Sequence, residues 1–364
     1  MPNTELMPIG VFARRTGLTA SALRFYADSG LLPPAEVDPD SGYRYYAASQ
    51  VARAAALRQL REIGMPLPAV DAVLDADPGE ASRLVDDHVA QVLADAAAVR
   101  QKAASIKSAL TDGPSLPVAT LTGPVLADAI EQVLTATAHE PGLPVLGAVR
   151  IEATQEAVTL TATDRYRLAT RTLVPAGTEA TGAAWAATVD GDELRSAVPE
   201  IRRSALVRIE ASPHAVRLRM PDREDRHCRL LPQEFPDHRS MLDSLPEPGT
   251  RTTVAKDLLL RALEEHSGER ITLHITRHAL TVEVTEGAGV TGAAPVGTPL
   301  PATVTGQDLR ITFALTTLYP AVSTAIGPDV MLDLRGPDQP VTIRSADRGD
   351  LTTLAMPVDP THTS

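Results

Sequence analysis

Residues that commonly carry catalysis are thinly spread in this 364-residue chain. His227 stands beside Cys228, the single cysteine, and His238 follows nearby. A metal centre needs several ligands at tight spacing, and one thiol gives neither a multi-thiolate site nor an intramolecular disulfide. No metal site and no cofactor is expected from them. A Gly-rich phosphate loop, a nucleophile elbow and a paired-carboxylate motif are also missing, so the expected protein binds and is not an enzyme. Binding chemistry gathers near the start. "IGVFARRTGLTASALRFYADSGLL" (9–32) carries Arg14, Thr19, Ser21, Arg24 and Tyr26, and "PDSGYRYYAASQ" (39–50) carries Tyr43, Arg44 and Tyr46. Guanidinium and hydroxyl groups so spaced suit phosphate, sugar and base edges of double-stranded DNA.

The elements that must position them follow from the pattern. Two short helical stretches flank a turn at Gly17; Thr19 or Ser21 could cap the second, and Leu23 with Tyr26 could face inward at helical spacing. That is a helix-turn-helix presenting Ser21 and Arg24, with Arg14 from its neighbour. A turn at Ser41–Gly42 then leads into a short aromatic and basic strand, a wing beside the groove. "QVARAAALRQLREIGMPLPAVDAVL" reads as a third and fourth helix broken near Gly64 and Pro66. Arg24-Phe25-Tyr26, Gly30-Leu31-Leu32, Ser41 to Arg44 and Leu57 to Leu67 together resemble the MerR family of transcription regulators over residues 8–75.

Val85, Val89, Val92, Ala96, Val99, Ala103, Ile106 and Leu110 follow at alternating spacings of three and four, the seam of a two-stranded coiled coil. A helix packed on its own domain could give the same pattern. MerR-like proteins dimerise through an antiparallel helix here, so the resemblance implies a homodimer joined through Val85, Val89, Val92, Val99 and Ile106, reading a pseudo-palindromic site. Metal sensing of the MerR kind is disfavoured: residues 75–117 hold no cysteine and one histidine, His88.

Charge separates the two ends. Net charge is −12; up to Leu110 there are 11 Lys+Arg against 13 Asp+Glu, leaving 23 against 33 beyond. The acidic remainder repels nucleic acid unless basic residues cluster, so DNA binding is assigned to the first part. Hydrophobic residues at 43% and charged residues at 22% fit a globular chain. No apolar run is long enough to span a bilayer and Met1 to Met7 does not read as a secretory leader, so the expected location is cytoplasmic, without a membrane partner.

After the linker "TDGPSLP" (111–117) the chain repeats itself. Helical stretches at 125–137 and 190–203 alternate with strands such as "VRIEA", "AVTLTATD" and "LVRIEA"; the order recurs with helices at 254–267 and 313–326. "LPVLGAVRIE", "LTATDRYRLATRTL", "EFPDHRSML" and "SADRGDLTTLAMPV" resemble, in order, the middle and last domains of the bacterial sliding clamp, the β subunit of the replicative polymerase. The resemblance covers about 117–358. The clamp's first domain has no counterpart, its place being taken by the MerR-like head and helix.

Two clamp functions can be weighed. Ring closure needs the first domain, and the inner helices are poor in basic residues: 118–139 has none but carries Asp128 and Glu131, and 311–326 has none. Lys256 and Arg261 are offset by Glu264 and Glu265, leaving the cluster Arg195, Arg202 and Arg203, so sliding on DNA is not expected. The clamp's peptide groove fares better. The resemblance places Leu146, Thr163, Arg165, Tyr166, Arg167 and Leu168 on one side and Leu354, Met356 and Pro357 on the other, with Tyr166 as an aromatic wall and Arg167 as a donor. The match weakens at Asp243 to Pro248 and at Val358-Asp359, where clamps tend to be basic. The alternative is that "ATDRYRLAT" does no more than complete a sheet. Trp185 and four phenylalanines give little material for an aromatic drug cage.

The expected fold is multidomain α+β: a winged helix-turn-helix head (1–77), a long coiled-coil dimerisation helix (78–112) and two sliding clamp-like α+β domains (117–245 and 250–358). The expected function is a ligand-responsive regulator of promoter DNA, acting on RNA polymerase indirectly. Its effector would be a clamp-binding peptide or cyclic peptide, such as a clamp-targeting antibiotic. The alternative is a DNA-tethered module that captures clamp-binding replication or repair proteins.

Overall fold

The computed structural model describes residues 6–110, 115–177, 184–221, 223–265, 268–284, 297–345 and 350–358. Asp359, most of the 111–117 linker and the side chain of Leu110 lie outside them. The described chain forms two compact units, Met1–Arg100 and Gln101–Ser364.

The first unit opens with β1 (Leu6–Pro8), α1 (Ile9–Thr16) and α2 (Ala20–Asp28). Gly17, at φ 73°, ends α1 in the left-handed conformation and donates its N–H to the Ala13 carbonyl at 3.0 Å. Thr19 caps α2, its hydroxyl accepting from the Ala22 N–H at 3.1 Å. β2 (Glu36–Val37) and β3 (Arg44–Ala47) make a three-stranded sheet in the order β1-β3-β2. The β2–β3 turn is wound on the Asp38 carboxylate, which accepts from the Asp40 and Ser41 N–H groups and the Ser41 hydroxyl; these bonds hold its pKa below the usual value. α3 (Val51–Glu62) and α4 (Leu67–Asp75) close a core containing Phe12, Leu23, Leu57 and Met65.

α5 (Pro78–Leu110) starts at Asp77, whose carboxylate accepts from the Gly79 and Glu80 N–H groups. Val85 packs against the head's core. Beyond it Val89, Val92, Leu93, Val99 and Ile106 are exposed, Val99 at 68%. An apolar seam on a helix otherwise bathed in water is unfavourable until another surface covers it.

The second unit is built by one plan used twice. β4 (Leu116–Thr122), α6 (Gly123–Leu134), β5 (Ala148–Ala153), β6 (Val158–Thr163), β7 (Arg167–Leu173), β8 (Trp185–Asp190), α7 (Gly191–Arg202), β9 (Leu206–Ala211), β10 (Ala215–Arg219) and β11 (Arg226–Arg229) form the first copy. A short α8 (His238–Asp243) leads to the second: β12 (Thr250–Ala255), α9 (Lys256–Glu264), β13 (Arg270–Thr276), β14 (Ala279–Val284), β15 (Gly297–Gly306), β16 (Leu309–Ala314), α10 (Leu315–Ser323), β17 (Asp329–Leu334), β18 (Val341–Ser345) and β19 (Leu351–Ala355). Each copy has its own apolar core. Strands β11-β10-β9-β4 make one sheet; the other twelve run β16-β13-β14-β15-β12-β17-β18-β19-β7-β6-β5-β8. The copies join where β19 pairs antiparallel with β7, Leu354 opposite Leu168.

All four sequence-predicted helices are present, two of them starting later than expected. Val254 remains on β12, which buries alternate side chains, and Ile311 to Phe313 remain on β16, where all three are buried and paired with β13 before the chain turns. β4, β8, β12, β15 and β16 escaped the sequence reading: the first four are rich in Thr, Ala and Pro and lack a strong apolar alternation.

Two basic residues of the paired helices are internally engaged. Arg202 on α7 bonds Asp128 at 2.5 Å and Glu131 at 2.6 Å on α6, raising its pKa. Lys256 donates to the Ala325 carbonyl, and burial lowers its pKa. Gly123 and Gly191 start α6 and α7 at points of close backbone contact: a Cβ on Gly123 would lie 1.9 Å from the Ser204 carbonyl oxygen, and one on Gly191 2.2 Å from that of Gly147. Gly123→Ala should therefore destabilise the second unit by at least about 2 kcal/mol, read as a lowered urea midpoint of the full chain. An unchanged midpoint would mean that the helix shifts freely.

Candidate functional sites in the head and at the repeat junction

The head divides its sequence-predicted residues by burial. Arg14, Ser21, Arg24 and Tyr43 are exposed, on the end of α1, on α2 and on the β2–β3 turn. Arg44 is half-buried and paired with Asp28 at 2.7 Å. Tyr46 does not reach the surface: it is fully buried, stacks on Phe12 with ring centroids 4.6 Å apart, and donates its hydroxyl to the Leu23 carbonyl. Burial raises its pKa. Tyr26 is buried in the same core, as its helical spacing from Leu23 allows, and Thr19 is engaged as a cap. The expectation of DNA contact is thus corrected for Tyr26 and Tyr46, whose rings build the scaffold. Arg15 and Phe25, next to Arg14 and Arg24 in sequence, are exposed as well.

At the repeat junction the stretch 163–168 is a tight turn between β6 and β7, wound on Asp164. The Asp164 carboxylate accepts from the Tyr166 N–H at 3.0 Å and the Arg167 N–H at 2.6 Å. Its second oxygen accepts from Arg167 Nε at 2.9 Å and Nη2 at 2.7 Å. The Thr163 hydroxyl donates to the Arg167 carbonyl at 2.7 Å. The last strand braces this turn, the Met356 N–H donating to the Tyr166 carbonyl at 2.8 Å.

This geometry changes the expected roles. The Arg167 and Asp164 side chains are only 13% and 10% exposed, and two guanidinium N–H groups are already bonded, so Arg167 shapes the turn rather than offering a ready donor. Leu146, Leu168 and Leu354 are buried beneath the surface together with Thr163. What faces water is Tyr166, 64% exposed, with Arg165, Met356 and the half-buried Pro357. Arg165 has φ 78°, a left-handed conformation unfavourable for a side-chain-bearing residue, and pairs with Glu140 at 3.3 Å. Asp164 and Glu140 were missed; the run Thr-Asp-x-x-Arg, with Asp before a turn, was the available signal.

Among the described residues no group of three or more His, Cys, Asp or Glu is placed to hold a metal. Cys228 is buried, which pushes its thiol pKa far up; burial lowers that of His227, and His238 lies 3.5 Å from Glu152. No described helix is long and apolar enough to cross a membrane.

A winged helix-turn-helix head of DNA-binding type and a doubled α+β body of clamp type are the classes these folds define. Residues 7–77 match the MerR HTH family regulatory proteins, and residues 120–237 match the central domain of the DNA polymerase III beta subunit. The chain therefore carries a MerR-type helix-turn-helix followed by sliding clamp-like domains. The head is 43% identical over 61 residues to the HTH-type transcriptional regulator CueR of Yersinia pestis, covering 17% of this chain and 43% of CueR. A 60-residue stretch is 50% identical to the beta sliding clamp of Streptomyces coelicolor, covering 16% of each chain. The fold is similar to the Pseudomonas aeruginosa DnaN sliding clamp bound to griselimycin, with TM-score 0.60 at 17% identity over 68% of this chain and 67% of that one. This chain thus spans less than half the length of either of those two curated relatives.

Two substitution sets test these assignments. Arg24→Ala should weaken operator binding about tenfold or more while leaving the melting temperature unchanged, whereas Tyr46→Phe should lower stability by about 1 kcal/mol and leave DNA contacts intact. Gel-shift titration and thermal unfolding of the full chain separate the two. At the junction, Asp164→Ala should destabilise by about 3 kcal/mol by leaving the Arg167 charge buried and unpaired. Arg165→Gly should stay within about 1 kcal/mol of the parent, since relief of the left-handed strain offsets an exposed ion pair and the extra freedom of glycine.

Proposed function

We propose that this protein is a dimeric, ligand-responsive transcription regulator in which the MerR-type head reads promoter DNA and the clamp-like body senses the effector. The observation that carries this reading is the braced turn at 163–168, set where β7 meets β19 and exposing Tyr166, Arg165 and Met356 over buried leucines. An exposed aromatic and thioether above an apolar floor, edged by one ion pair, suits a ligand with apolar anchors and few polar contacts. Clamp-binding peptides and cyclic peptides are that kind of ligand, and one clamp of similar fold is described as bound to griselimycin. Residues 118–139 and 311–326 carry no Lys or Arg, and Arg202 and Lys256 are bonded within the body, which favours the sensing role over the ring role.

The exposed Val89, Val92, Val99 and Ile106 seam is the proposed dimer contact, and dimerisation sets two heads against two half-sites. Ligand binding then shifts the heads between arrangements that distort the promoter to different degrees, which changes output through RNA polymerase without direct contact to it.

Griselimycin, titrated calorimetrically into the full chain, should bind, and Tyr166→Ala should weaken it about tenfold or more, the scale of losing one well-packed aromatic contact. Absence of heat with griselimycin and with a linear clamp-binding peptide would sink the sensing assignment. Retained peptide binding with promoter output indifferent to it would favour the capture module instead.

A further inference from the structure

The head holds one carboxylate where electrostatics disfavours it. Asp28 is the last residue of α2, at the negative end of the helix dipole, and the last turn of α2 carries no basic residue to offset it. On a surface that reads DNA, a carboxylate also repels phosphate. Its partner comes from the wing: the Arg44 guanidinium, at the start of β3, donates to the Asp28 carboxylate at 2.7 Å. The Asp28 side chain is 66% exposed, and ion pairs so exposed add little to stability. Stability alone therefore does not account for the placement.

What the pair does is fix one side chain. The backbone around Arg44 is already held, because β3 pairs with β1 on one side and with β2 on the other, Arg44 opposite Val37. The Asp38 N–H closes the wing turn by donating to the Tyr43 carbonyl at 2.8 Å. Tyr46, two residues along β3, donates its hydroxyl to the Leu23 carbonyl of α2, which ties strand to helix. Arg24, Arg44 and Asp28 all lie close enough to act on that hydroxyl, so the two arginines and the carboxylate share one neighbourhood. A free arginine gives up much rotamer freedom when it grips a phosphate, whereas one already oriented does not. Asp28 engages a single N–H of a fork that carries five.

We propose that Asp28 is a positioning residue for DNA reading: it holds the Arg44 guanidinium ready for one backbone phosphate, and its charge penalises registers in which that phosphate is not gripped. The inference rests on the reading that the head binds promoter DNA. In the correct register the oriented fork outweighs the repulsion of the carboxylate; out of register the repulsion stands alone. Specificity is a difference of affinities, and a built-in repulsive element widens it.

The test uses the full chain and two probes: a duplex enriched by the wild-type protein from a random-sequence pool, and a scrambled duplex of equal length and base composition. Asp28→Ala should raise affinity for the scrambled duplex and lower it for the enriched one, so that their ratio falls about fivefold or more, the scale of a coupled contact pair. A merely destabilised head would weaken both, and a mere loss of negative charge would strengthen both. In an Arg44→Ala background the same change should raise both affinities alike and leave the ratio as it was. Asp28→Glu should keep most of the wild-type ratio, and thermal unfolding checks that each variant folds. A ratio unchanged in Asp28→Ala, or the same fall with Arg44 already removed, would overturn the proposal. A wild-type protein that enriches no duplex would overturn the DNA-reading assignment itself, and this proposal with it.

Discussion

The pairing of β19 with β7 is the interaction on which the body depends. It makes the two copies of the α+β plan share one twelve-stranded sheet, so that they cannot tilt independently without breaking a ladder of backbone bonds. The same ladder fixes the turn at 163–168, because the strand leaving that turn is the one that pairs and the strand ending at Ala355 continues into the Met356 N–H that holds Tyr166. Asp164 finishes the work from inside, tying both backbone and side chain of Arg167. A strained residue, Arg165, survives there because the turn on either side is so fully determined.

The internal repeat also explains how the body tolerates having a helix, not another copy of its plan, before it. β11 holds in the first copy the place that β19 holds in the second, and β19 finds its partner in the preceding copy. β11 is therefore the edge at which a preceding copy would pair, and an open edge invites association. Here its outward groups are answered locally. The Arg229 N–H donates to Glu193 at 2.6 Å and the Leu231 N–H beyond it to the Thr188 carbonyl at 2.8 Å. The Gln101 amide, with its oxygen turned to the strand, accepts from the His227 N–H at 2.8 Å and donates to the His227 carbonyl at 3.0 Å. An edge blocked by side chains is a stable end, and the clamp plan can stop at two copies.

What the sequence made legible followed the strength of its periodic signal. Val, Leu and Ile alternate in β5, β6, β9, β13 and β14, and those strands were expected. β12, reading Thr-Arg-Thr-Thr-Val-Ala, sends threonine hydroxyls inward, and period-two hydropathy does not register them. Elsewhere in the sheets such hydroxyls pair with each other, as Thr272 does with Thr312 at 2.9 Å. In the head, arginines and tyrosines arrived together and were read together; burial split them, the tyrosines at 26 and 46 filling the core and Arg14 and Arg24 remaining outside. The groove stretch was found by its motif, but the division of labour within it, Asp164 and Arg167 building and Tyr166 exposed, required the fold. That Arg208 stands opposite Arg219 was invisible for a simpler reason: register, which brings distant residues opposite one another, is not written in local spacing.

The central claim is that the state of the body is coupled to DNA reading by the head. Thermodynamic coupling is reciprocal, so a ligand that alters operator affinity must have its own affinity altered by operator DNA to the same factor. The direct measurement is griselimycin affinity for the full chain, with and without saturating operator duplex, beside operator affinity with and without saturating griselimycin. The account predicts equal factors differing from one by about fivefold or more, the lower end of ordinary allosteric coupling. Factors of one in both directions, with both ligands bound, would contradict it.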